Sequence, residues 1–196
     1  MRLTAPSTST RAASRPKVAL GVCIGTRAMG IAITTREQLV RAHTVTLHRL
    51  PAASRAAYVV GVLRRLVQAY GPRRIALVDR GDARTTAFVR RIWSLRRKAM
   101  ARGNVVATRY TAAEIRVAQV GDHARPTTRN LGHVLGERFP EIARRLRLDG
   151  PATAQPVWST RARLRTDRER YFARTLLALG GALHDLDEEL KASFIS

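Results

Sequence analysis

The groups in this sequence whose number and spacing suit chemistry are cationic. The chain holds 36 Lys and Arg against 14 Asp and Glu, a formal net charge of +22, and only Lys17, Lys98 and Lys191 among the cations are Lys. A planar guanidinium fork meets phosphate in bidentate fashion, which an ammonium does not, so a polyphosphate backbone is the natural partner of such a field. A GC-rich coding sequence accounts for part of the Arg bias but not for the charge excess. Arg84, Arg90, Arg91, Arg96, Arg97 and Lys98 occur with no acid between Asp82 and Gly103. Like charges at helical spacing repel unless something anionic lies across them, so this face reads either as solvated or as a nucleic-acid contact. A second basic run comprises Arg161, Arg163, Arg165, Arg168 and Arg170, and Arg11, Arg15 and Lys17 make a third near the start.

Other chemistries find less support. His43, His48, His123, His133 and His184 show neither metal-ligand spacing nor pairing with a nucleophile. The single cysteine, Cys23, excludes an internal disulfide framework and a thiolate-rich zinc site, and reads most simply as a small core residue. Gly25-Thr26-Arg27 fits a hairpin turn, with a phosphate cradle as the alternative. Asp185, Asp187, Glu188 and Glu189 form an acidic cluster that solvates a helix end, docks on a basic partner or shields the chain's own basic face. No apolar run approaches the roughly 20 residues that cross a bilayer, so no membrane is expected. The expected compartment is the cytoplasm, including the nucleoid, with an organellar matrix as the alternative because residues 1–16 share the Ser-, Thr- and Arg-rich, acid-free composition of transit peptides.

Positioning these groups requires a folded core, and 45% hydrophobic residues supply one. Residues 1–16 read as a flexible basic arm, 17–190 as one domain and 191–196 as a tail. From Lys17 the pattern predicts three antiparallel strands: Lys17-Val-Ala-Leu-Gly-Val-Cys-Ile, Met29-Gly-Ile-Ala-Ile-Thr-Thr and Leu39-Val-Arg-Ala-His-Thr-Val-Thr-Leu. A helix follows from Pro51 to the stop at Gly71-Pro72, then a buried strand, Arg74-Ile-Ala-Leu-Val, ending in Asp79-Arg-Gly-Asp82. Phe88, Val89, Ile92, Trp93 and Leu95 give the next helix its apolar stripe, and Asn104 to Tyr110 a fifth strand. Thr111 and Glu114 have capping-box spacing at the head of a short helix. Further helical stretches run through Leu131, Val134 and Leu135 and from Ile142 to Leu148, followed by a linker from Asp149 and a long helix from about Arg161 to Leu190.

This order, βββαβαβ and then helices, resembles the ribonuclease H-like superfamily, and its details resemble the RuvC-type branch of Holliday-junction resolvases. The first strand and turn, Leu20-Gly-Val-Cys-Ile-Gly-Thr-Arg-Ala-Met-Gly, is similar to the family pattern Gly-Ile-Asp-Pro-Gly-Ser/Thr, with Gly21, Gly25, Thr26 and Gly30 matching. Cys23 stands where the first catalytic aspartate belongs, and Asp79 where the second acid is expected. Tyr110-Thr-Ala-Ala-Glu-Ile-Arg, Gly121 and Thr127-Thr-Arg resemble the segment before the last helix, although Lys is more usual than Thr128. In the last helix the essential carboxylate falls on Arg170 or Ala173, with Asp167 and Glu169 nearby.

The resemblance implies an α/β fold: a five-stranded mixed sheet of three antiparallel strands followed by βα units, flanked by helices, with a long C-terminal helix. It also implies chemistry at two Mg²⁺ or Mn²⁺ ions held by carboxylates. A thiol and an Arg are poor replacements for such ligands. The expectation is therefore a degenerate site that needs no cofactor, on a nucleic-acid-binding protein of a nucleoprotein assembly. It would recognise phosphate and shape in branched or duplex DNA, or in structured RNA, through Arg90, Arg91, Arg96, Arg97, Lys98, Arg161, Arg163, Arg165, Arg168 and Arg170. The alternatives are an active Mg²⁺- or Mn²⁺-dependent endonuclease and a module for an acidic protein partner. In the endonuclease, Asp79, Asp167 and Glu169 would be catalytic, and Asp79, Asp82 and Asp167 would hold metal. A homodimer is also consistent with the family.

Overall fold

The computed structural model describes residues 17–81, 83–99, 105–121, 126–147 and 167–195, of which 83–85, 95–99, 145–147, 167–169 and 195 are described by backbone alone. The first three strands are β1 (Ala19–Ile24), β2 (Ala28–Thr34) and β3 (Leu39–Thr46), followed by α1 (Ala52–Tyr70), β4 (Arg74–Asp79), α2 (Ala83–Ala99) and β5 (Val106–Thr111). Four helices close the chain: α3 (Ala112–Val120), α4 (Thr128–Arg138), α5 (Pro140–Arg147) and α6 (Asp167–Ile195). The sheet order is β3-β2-β1-β4-β5, antiparallel from β3 to β1 and parallel from β1 to β5. This is the mixed sheet that the resemblance implies.

Every residue of β1 and β2 is buried, as expected of central strands covered on both faces. Leu20, Val22, Ile24, Leu77 and Ile75 face a core with Val59 and Leu63 of α1 and Val89 and Ile92 of α2. Cys23, Val78 and Ala32 face the opposite core, with Ile115, Leu131, Phe139, Leu176 and Leu179 of the C-terminal helices. Trp93 lies half-buried against the first core.

Glycines set how closely α6 crosses the sheet. A Cβ on Gly21 would collide with the Ala178 carbonyl, and one on Gly30 with the backbone at Arg174 and Thr175. These two glycines therefore let helix backbone rest directly on β1 and β2. Gly181 leaves room for the Val78 side chain and Gly180 for that of Ile115, which gives the pair its close-packing role.

The caps follow the local chemistry. Gly71 ends α1 in the left-handed conformation, φ 55°, its N–H donating to the Val67 carbonyl. Thr111 and Glu114 form the reciprocal capping box on α3, and Thr127 accepts from the Asn130 N–H at the head of α4. Two boundaries differ from the pattern reading. The last helix runs to Ile195 rather than ending near Leu190, because Lys191-Ala-Ser-Phe-Ile holds no Gly or Pro to stop it. The third strand ends at Thr46 rather than Leu47, and the Leu47 and His48 N–H groups both donate to the Arg27 carbonyl. The expected arm at 1–16, the linker and Trp158 lie outside the described residues.

Candidate nucleic-acid interface

Asp79 closes β4, and its position determines what the C-terminal edge of the sheet can do. Side chains alternate along a strand, so Asp79 shares a face with Leu77, toward α2, while Val78 shares the α6 face with its register partner Cys23. The Asp79 carboxylate is 1% exposed and fully engaged. Oδ1 accepts from the Gly81 N–H at 2.9 Å, and Oδ2 accepts from the Thr86 hydroxyl at 3.0 Å and from Arg109 Nη2 at 2.6 Å. Gly81 can present that N–H because it takes φ 82°, a left-handed turn that glycine adopts freely. Arg109 reaches Asp79 because it pairs in register with Leu77 on the neighbouring strand and so lies on the same face. Burial pushes the carboxyl pKa up, but the Gly81, Arg109 and Thr86 bonds outweigh it and hold the group below its ordinary value.

On the other face stands Cys23, fully buried. Burial pushes its thiol up to about 12 against the pull of the Arg174 and Arg80 guanidinium groups, so it is a neutral thiol. Arg174, absent from the sequence-based site, projects from α6 over the β1–β2 turn. It is 8% exposed, its guanidinium carbon lies 5.4 Å from the Tyr171 ring centroid, and a Cβ on Gly25 would meet its Nε at 2.6 Å. A Cβ there would also press on the Ala28 carbonyl at 2.9 Å, which accepts from the Gly25 N–H, so Gly25 serves the tight β1–β2 hairpin turn. A cation within the apolar stripe of a helix was the available signal for Arg174.

The remaining expected residues divide by position. Arg90 and Arg91 are exposed on α2, and Arg170 is exposed on the first turns of α6. Ala173, the other register for the missing acid, is buried in the core at 6%. Arg96, Arg97 and Lys98 lie on α2, and Asp167, Arg168 and Glu169 on α6, with their backbones alone described. Asp82, Arg161, Arg163 and Arg165 lie outside the described residues. Lys17 is not a free arm contact, since Nζ bonds Glu189 at 2.9 Å.

The acidic cluster pairs within the chain. Besides Glu189 with Lys17, Asp187 lies 3.7 Å from Arg36, and Asp185 is completely buried beside Arg74 and the Tyr110 hydroxyl. Of its three readings, shielding of the chain's own cations is the one the geometry shows.

A two-metal centre does not fit the described residues of this edge. Hard divalent cations need several carboxylate oxygens converging on one point. Here both Asp79 oxygens are occupied by donors, the cross-strand position is a neutral thiol on the opposite face, and Arg174 overhangs it. Among the described residues no three His, Cys, Asp or Glu side chains cluster to hold a metal.

Among solved structures, RuvC from Thermus thermophilus superposes with a TM-score of 0.55 at 14% identity, over 86% of this chain and 97% of that one. The same enzyme in complex with a Holliday junction substrate superposes equally, at 12% identity over 87% of this chain and 97% of that one. The chain has a ribonuclease H-like fold. No protein-family model matches the sequence, nor does any curated protein sequence. Among the described residues no helix is long and apolar enough to cross a membrane.

Proposed function

We propose that this chain binds nucleic acid through its phosphate backbone, on a scaffold of the RuvC type, and does not cut it. The observation that carries this reading is the charge at the C-terminal edge of the sheet: among the described residues Arg80, Arg109 and Arg174 stand there against one carboxylate, and that carboxylate is already bonded. A nuclease of this fold needs an anionic edge that gathers cations. A cationic edge repels them and draws the phosphate directly. Arg90 and Arg91 on α2 and Arg170 on α6 extend the same positive field over the exposed surface. In the RuvC complex the bound molecule is a Holliday junction, which makes branched DNA the first substrate to offer, beside duplex DNA and structured RNA. The role fits a binding subunit of a nucleoprotein assembly.

The test is binding and cleavage of labelled four-way junction, duplex and structured RNA, with Mg²⁺ or Mn²⁺ and with EDTA, by this protein and its Asp79→Asn variant. Expected are tight binding that falls steeply with salt, no cleavage, no effect of EDTA, and equal or slightly tighter binding by Asp79→Asn. Arg80→Met, at an exposed position of that edge, keeps the aliphatic stem and is expected to lower the slope of log affinity against log salt by about one. Metal-dependent cuts lost in Asp79→Asn would overturn the reading in favour of an endonuclease. Negligible affinity for all three probes would favour an acidic protein partner.

A further inference from the structure

A cleft of about 310 Å³ opens on the α2 side of the sheet, between the head of α1, the first turns of α2 and the β1–β2 turn, lined by Thr26, Ala52, Arg55, Ala87, Phe88 and Arg91. We infer that this cleft receives one unstacked nucleotide of a nucleic-acid strand, its phosphate on Arg55 and Arg91 and its base against the Phe88 ring. The inference rests on the nucleic-acid reading above and deepens it, by naming a place where a strand is held away from its partner.

Arg55 is built for fixed recognition. Its Nε donates to the Leu50 carbonyl at 3.0 Å, Nη1 to the Thr26 carbonyl at 3.1 Å and Nη2 to the His48 carbonyl at 3.5 Å. A guanidinium carries five N–H groups, so each terminal nitrogen keeps a second N–H while the plane is locked by three backbone oxygens. Little rotamer freedom is then lost on binding an anion. Arg91 lies across the cleft, exposed on α2, and adds a second charge. Ala52 opens a 19-residue helix with no acid in its first turn, so the helix dipole adds to the positive field without a side chain to neutralise it.

The aromatic wall separates a nucleotide from a bare phosphate. Phe88 is half-buried, its ring fixed against the α1–α2 core and lining the cleft. A phosphate has the bulk of a few waters of roughly 30 Å³ each and would leave most of the volume empty. A whole nucleotide, its base stacked on the ring, occupies far more of it, and stacking of this kind tolerates any base sequence. A paired base in a continuous duplex is unable to enter, since its faces are already covered by its neighbours.

The test compares a duplex carrying one unpaired thymidine with the same duplex fully paired, in DNA and in RNA (uridine) versions, by fluorescence anisotropy across a salt series. The bulged form is expected to bind about tenfold more tightly than the paired form. Ala87→Glu, at an exposed position, places volume and negative charge in the cleft and is expected to abolish that preference while the paired duplex still binds. Phe88→Leu keeps apolar bulk without the ring and is expected to reduce the preference, and Arg91→Ala to lower the salt slope by about one. Equal affinity for both forms, or an unchanged preference in Ala87→Glu, overturns this inference alone. Failure to bind either duplex at any salt overturns the parent reading and this one with it. A preference in only the DNA or only the RNA version supports the site and identifies its strand.

Discussion

Two buried carboxylates, Asp79 and Asp185, are held by the same kinds of partner on opposite faces of one sheet. Each takes an Arg and a hydroxyl from neighbouring elements: Asp79 from Arg109 and Thr86 on the α2 side, Asp185 from Arg74 and Tyr110 under α6. They differ in how far the network opens to water. The Arg109 side chain is 41% exposed, against 21% for Arg74 and 0% for Asp185 itself. Asp79 also has a backbone N–H, from Gly81, and lies at the edge where ligands of open α/β sheets meet the strand ends. Asp185 is deeper, and burial together with its carboxylate drives the Tyr110 hydroxyl pKa well above the ordinary phenol value. Similar partners thus do two jobs, one set clamping α6 across β4 and β5 and one shaping an exposed edge.

The largest expected effect follows from that asymmetry. Asp185→Ala removes the anion from Arg74 and the acceptor from Tyr110 in a dry site, and is expected to destabilise the fold by about 3 kcal/mol in urea unfolding. Asp79→Ala is expected to cost only about 1–2 kcal/mol, because Arg109 swings to solvent and Thr86 finds water. The reverse order would show that the C-terminal edge, not the α6 clamp, holds the domain together.

Acid titration sharpens the same contrast with a smaller signal. The folded Asp79 pKa lies below the unfolded value of about 3.9. Its contribution is therefore complete above that unfolded value and disappears as the pH falls through the lower, folded one. Comparing unfolding midpoints of the native protein and Asp79→Asn from pH 6 to pH 2 should show the gap between them narrowing only at the acid end. A constant gap across the range would mean that Asp79 does not titrate with folding.

The comparison also shows which features were legible in the sequence. Element order, the βββαβαβ topology and the capping box could be read because alternation, helical spacing and Thr111-x-x-Glu114 are local signals. The position of Asp79 was legible for the same reason, at the end of an apolar run. Its partners were not, because Arg109 and Thr86 reach it through strand register and a helix that a linear pattern does not place. The α6 face is an intermediate case. Arg174, Ala178, Ala182 and Asp185 recur at spacings of four, four and three, a small-residue stripe with a charge at each end, and the collisions a Cβ would meet at Gly21 and Gly30 show why it must be small. Reading Asp185 only as a member of the acidic cluster missed that periodicity.

The smallest expected effect concerns Cys23, and it tests what replaced the acid. A carboxylate at this central position would need donors, as Asp79 and Asp185 do, whereas a buried thiol with its pKa pushed up to about 12 stays neutral and needs none. Native protein at pH 8 is expected to react with a thiol reagent only as fast as it unfolds, with full labelling in denaturant and no change in nucleic-acid affinity for Cys23→Ala. Rapid labelling of the folded protein would mean that the β1–β2 edge opens under Arg174, and the cationic surface drawn there would have to include the thiol beneath it.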